Sequence, residues 1–124
     1  MNKLALAALA FIAFHFANAA FANNVPILAG DCVETSISLR GPRLENLPDS
    51  GTSILYANGV YNVDYSVIEA VRASEIGDPV TLCLVSVPQG CPEGDDRGKV
   101  YAAVNHRLSK IWQMADSSHV CGGA

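Results

Sequence analysis

Four cysteines constrain this chain more than any other feature, because Cys32, Cys83, Cys91 and Cys121 all lie beyond an apolar N-terminal run. That run, Leu4 to Phe16, follows Met1-Asn2-Lys3 and precedes Ala17-Asn18-Ala19-Ala20-Phe21-Ala22. A basic start, a short apolar stretch and small residues where a signal peptidase reads are the marks of a cleavable secretory leader. The run falls well short of the ~20 residues that cross a bilayer as a helix. Two Ala-x-Ala sites compete. The second is favoured, giving a signal peptide over 1–22 and one small disulfide-bonded β domain over 23–124. Leu28-Ala29-Gly30-Asp31-Cys32 approaches a lipoprotein box, but Asp31 breaks it. No stable membrane anchor is expected after cleavage.

An even number of cysteines in a small exported chain reads as a disulfide framework. Three pairings are open. Cys83–Cys91 with Cys32–Cys121 is favoured, because Pro88-Gln89-Gly90 can turn the chain between the first pair. Chain-entropy reasoning then gives ~2.6 kcal/mol for the short loop and ~4.6 for the long one. Cys32–Cys83 with Cys91–Cys121 is the close alternative. There is no Cys-x-x-Cys, so a thioredoxin-like role has no support.

Without Lys3 the mature chain carries seven Lys and Arg against twelve Asp and Glu, a net charge of −5. Its basic residues are scattered. Nucleic acid and anionic membrane both call for concentrated positive charge, so neither is expected as a partner.

Hydrophobic patterning points to strands. Val33, Thr35, Ile37 and Leu39 alternate with Glu34, Ser36, Ser38 and Arg40, as in a half-buried strand. Residues 41–51 hold two prolines and two glycines and read as a loop. Ile54 to Ala57 and Val60 to Val63 flank Asn58-Gly59, the preferred dipeptide of a type I′ hairpin turn. That turn pairs Tyr56 with Tyr61 and Ile54 with Val63, placing all four on one face with Thr52 and Tyr65. Ser66-Val67-Ile68-Glu69 matches a capping box and predicts a short helix within 65–77. Val80 to Val87 is apolar on both faces and belongs inside a sheet or barrel. Residues 88–98 form a loop, and a last hairpin joins Lys99–Val104 to Lys110–Met114. The expected fold is mainly β: a small antiparallel barrel or sandwich of five to six strands with one short helix. An open two-layer α+β arrangement is the alternative.

Chemistry-bearing residues are few. Asp116-Ser117-Ser118-His119 contains every residue type of a serine-hydrolase triad, yet triads are normally assembled from separate elements. His106 is the other mature histidine. There is no Gly-x-Ser-x-Gly elbow. Glu93, Asp95 and Asp96 could offer oxygens to calcium, but Arg97 and Lys99 stand beside them and local ion pairs are expected instead. The cysteines with His119 could hold zinc, and an oxidising compartment favours disulfides over that. No metal or cofactor is expected. Tyr56, Tyr61, Tyr65, Tyr101 and Trp112 form either a ligand-stacking face or core pairs.

The leading reading is an exported bacterial protein, periplasmic or secreted, acting as a non-catalytic binding or inhibitor-type module. Its loops at 41–51 and 88–98 would be presented to an unknown protein or envelope ligand. The general build is similar to that of periplasmic lysozyme inhibitors, a likeness of architecture that carries no residue across. A small hydrolase using His119 with a Ser or Asp of 116–118 and a structural envelope component are the alternatives.

Overall fold

The computed structural model describes residues 24–123, so the predicted leader over 1–22 lies outside the described residues. Six strands follow in chain order: β1 (Cys32–Gly41), β2 (Thr52–Tyr56), β3 (Tyr61–Asp64), β4 (Pro79–Ser86), β5 (Val100–Asn105) and β6 (Lys110–Ala115). One short helix, α1 (Glu69–Arg72), lies between β3 and β4. All strand pairs are antiparallel and close a barrel in the order β1-β2-β3-β6-β5-β4. The meander β1-β2-β3 followed by a long return that lays β4 beside β1 is a Greek key. Closure leaves no long unpaired edge.

Alternation explains the interior. Ile37, Ile54, Tyr56, Val80, Leu82, Leu84, Tyr101, Ala103, Trp112 and Met114 point inward from their strands and form one core cluster, joined by Val71 of α1. β4 is not an edge strand, as its apolar sequence predicts, since it pairs with both β1 and β5, but only its inner face is buried and Val85 on the outer face is exposed. β1 serves two partners. Residues 32–36 pair with β4, residues 37–41 pair with β2, and the register shifts between Ile37 and Leu39. This bulge inserts Ser38 and reverses the phase of the strand. Leu39, expected on the inner face with Ile37, is therefore exposed.

The 54–63 hairpin exists, but its turn has three residues rather than two. Tyr56 N–H donates to Val60 O and Gly59 N–H to Tyr56 O, each at 2.9 Å. Gly59 has φ +90°, while Asn58 is not in the positive-φ region. Asn58 is instead buried, its Nδ2 donating to Asn24 O and its Oδ1 accepting from Val60 N–H. A helical turn closed by a left-handed glycine is the usual three-residue solution. The pairing consequently moves by one residue, to Leu55↔Tyr61, Ile54↔Asn62 and Ser53↔Val63. Because the side-chain period is two, Tyr61 moves to the outer face and Asn62 to the inner one.

The helix is shorter than expected and Ser66 does not cap it; its N-cap position is Ile68. Ser66 N–H is taken by Asp64 Oδ1 at 2.7 Å. The capping work passes to Thr52, whose hydroxyl donates to Ser66 O and accepts from Ile68 N–H at 2.7 and 2.8 Å. Beyond α1, Asp78 gathers the chain. Its carboxylate accepts from Glu75 N–H, Asn105 Nδ2 and both Nε and Nη2 of Arg107.

Two disulfides staple the barrel: Cys32–Cys83 and Cys91–Cys121. The favoured pairing is thus overturned in favour of its alternative. The reason is register, since Cys32 on β1 lies directly opposite Cys83 on β4. Among the described residues no helix is long and apolar enough to cross a membrane.

Candidate functional site

The five aromatics offered as a ligand face divide. Tyr56, Tyr101 and Trp112 are 1%, 5% and 5% exposed and belong to the core, so they are withdrawn from any binding surface. Tyr56 and Trp112 meet inside the barrel, where the indole Nε1–H donates to the Tyr56 hydroxyl at 3.0 Å. Burial pushes the Tyr56 phenol well above the ordinary tyrosine range. Tyr61 and Tyr65 are 45% and 57% exposed and line one cleft.

That cleft is built from three segments. β3 and its continuation supply Tyr61, Val63 and Tyr65; the 41–51 loop supplies Arg43 and Leu44; the tail supplies Asp116 to His119. The Arg43 guanidinium sits over the Tyr65 ring at 4.4 Å from its centroid, a cation–π contact. Its Nε is anchored on Ser50 O at 2.8 Å. Ser50 in turn knots the loop, accepting from Leu44 N–H and donating to Leu47 O. A row of outward side chains, Leu39–Leu55–Tyr61, runs across β1, β2 and β3 into the cleft. A second cleft adjoins it, sharing Val63, Tyr65 and Ser117 to His119.

The tail wall is tied down at its far end. Cys91–Cys121 ties it to the 88–98 loop, and Cys121 N–H donates to Arg97 O at 2.7 Å. Asp95 accepts from Arg97 Nε and Nη2 and from Gly122 N–H. The Arg97 guanidinium holds the Asp95 carboxyl far below the usual carboxylate range. Asp96 pairs with Lys99 at 3.1 Å. Asp95 and Asp96 make the local ion pairs expected of them, and Glu93 makes none among the described residues. Among the described residues no three His, Cys, Asp or Glu side chains are grouped to hold a metal, and all four cysteines are in disulfides.

His119 shares the cleft with Asp116, Ser117 and Ser118 without the bonds of a triad. Ser117 Oγ accepts from the His119 backbone N–H at 3.2 Å, and Asp116 Oδ1 accepts from Gly98 N–H at 2.8 Å. Among the described residues no hydrogen bond links the imidazole to a serine or an acid. His106 lies elsewhere, beyond β5. Its Nε2 is 2.6 Å from Thr81 Oγ1, which donates to Glu34 Oε1 at 2.7 Å. The sequence pattern marks Glu34 only as an outward strand residue, and the partners that join it lie forty-seven residues and more away. β4 stands across the closed barrel from β3, so this exposed cluster is separate from the tyrosine cleft.

Sequence reasoning reaches Tyr61, Tyr65 and the tail but misses Arg43 and Leu44 as site residues. The one usable signal is the 41–51 loop itself. The chain matches no protein-family model, no curated protein and no solved structure, which leaves its own geometry as the guide to function.

Proposed function

We propose that this protein is an exported, non-catalytic binding module that engages a partner through the Tyr61–Tyr65 cleft. The observation that carries the reading is the pair of exposed tyrosines lining one cleft on a closed, bridged barrel. Tyrosine supplies a large amphipathic contact area at low entropic cost, and Tyr and Arg are enriched among residues that dominate binding energy. The cleft supplies both, with a leucine row leading into it and a polar tail at its rim. Its walls are knotted or disulfide-tied, so little ordering cost would fall on binding. Export is supported by the 1–22 leader and agrees with two disulfides, which persist in oxidising compartments.

The test is affinity capture from periplasmic or culture fluid with the oxidised protein, run beside Tyr61→Ser/Tyr65→Ser. A partner retained by the wild type and lost by at least tenfold with the variant supports the reading. Equal retention by both places the interaction elsewhere. No specific partner with either leaves the structural envelope role as the better account.

A further inference from the structure

We infer that the cavity between α1 and the 41–51 loop binds a small monocarboxylate carrying an apolar tail. This cavity of about 370 Å³ shares no lining residue with the tyrosine cleft, although both draw on the 41–51 loop. Its size falls at the low end of small-molecule sites. Val67, Ile68 and Val71 provide an apolar floor, and Leu47 and Pro48 an apolar wall. Arg40 and Arg72 stand at its lining as the cationic groups.

The state of those two guanidiniums points to the ligand. Arg97 and Arg107 are satisfied by two-point contacts to Asp95 and Asp78. Arg40 is different: it donates through Nε to Ser74 O at 2.7 Å, and among the described residues no carboxylate lies within ion-pair distance. Arg72 reaches Asp49 only at 3.9 Å and Glu69 at 3.7 Å. The Asp49 side chain is 97% exposed, so it competes weakly for that charge. Arg72 thus has two carboxylates beside it, and Arg40 is the guanidinium of the lining with no carboxylate partner among the described residues. An arginine fork matches a planar carboxylate, and the floor beneath suits a hydrocarbon. The combination selects one negative charge on an apolar body, of alkyl or aryl kind.

Amide-resolved NMR titration of the oxidised protein provides the test, with octanoate and 3-phenylpropionate as probes and octanol and inorganic phosphate as comparators. The expected result is saturable shifts at residues 67–72 and in the 41–51 loop with at least one of the two acids. Octanol should bind at least tenfold more weakly, the value of a charge-assisted hydrogen bond, and phosphate should bind more weakly still. Asp49→Asn removes the one carboxylate in the lining, leaving Glu69 beside Arg72, and should tighten the acid, while Arg40→Gln should weaken it about tenfold. Octanol matching octanoate would refute head-group recognition, and phosphate matching it would refute the role of the apolar floor. No saturation at millimolar acid, or shifts confined to Tyr61 and Tyr65, overturns the site. These outcomes are read on the wild type, so they stand even if Arg40→Gln loses its fold with the Ser74 contact.

Discussion

Tyr56→Phe tests the polar contact at the centre of the core. The wild-type phenol is 1% exposed and receives the Trp112 indole N–H at 3.0 Å. Removing one oxygen leaves the ring in place but strands that N–H, because Trp112 is itself only 5% exposed. An unsatisfied buried donor costs about 1–3 kcal/mol. For a domain of this size each kcal/mol corresponds to roughly 4–8 °C in Tm. Urea unfolding followed by fluorescence of Trp112, the only tryptophan, reads the loss directly. The variant should unfold at lower urea with an unchanged slope. Alkaline pH gives a second reading of the same group. The folded-state phenol titrates above its unfolded value of about 10, so its contribution is full below pH 10 and is lost as pH rises further. Tyr56→Phe should therefore flatten the alkaline loss of stability. A variant as stable as wild type within about 0.5 kcal/mol, with the same alkaline slope, would refute the buried bond as a stabilising contact.

Three further outcomes are expected of the same fold. Cys121→Ser should leave Cys91 open to a thiol reagent while Cys32 and Cys83 stay protected, and should cost ~2–5 kcal/mol in denaturant unfolding; a reactive Cys32 would contradict the connectivity. The Arg107 guanidinium holds the Asp78 carboxyl far below its ordinary value, so its stabilisation is present above an unfolded pKa of about 4 and lost as pH falls below it. Asp78→Asn should therefore lower stability at neutral pH and reduce its acid dependence, measured by urea midpoints from pH 7 to 2. Gly51 has φ +128° and faces the Asp64 carbonyl at close range, so Gly51→Ala should cost more than about 1 kcal/mol, whereas Gly77→Ala (φ +91°, open space) should meet backbone strain alone.

Much of the barrel was legible because local signals agreed. Apolar residues over 80–87 marked a strand with a partner on each side, and the last hairpin fell within a residue of its expected limits. What escaped depended on choices that sequence spacing cannot rank. Asn58-Gly59 supports a two-residue or a three-residue turn, and in the three-residue form Asn58 bonds both the distant Asn24 carbonyl and the nearby Val60 N–H. That single residue of register carried Tyr61 outward and into the cleft lining. The bulge at Ser38 likewise sent Leu39 outward, because β1 must change partner there to close the barrel. Capping-box spacing at 66–69 was present, but Thr52, fourteen residues away from Ser66, supplied the hydroxyl instead. The cysteine pairing was likewise a matter of register, set by β1 lying beside β4. Arg43 became visible only once the loop was folded over Tyr65.

The binding role proposed for the tyrosine cleft is tested most directly by photo-crosslinking in cells producing the protein. A photoreactive phenylalanine would replace Tyr61 or Tyr65, with the exposed residue Ile111, at the end of β6 away from the 116–119 tail, as a control position outside the cleft lining. A discrete adduct from positions 61 and 65, absent from 111, is the predicted result. Adducts of equal yield from all three positions, or from 111 alone, would contradict the cleft as the place where a partner binds.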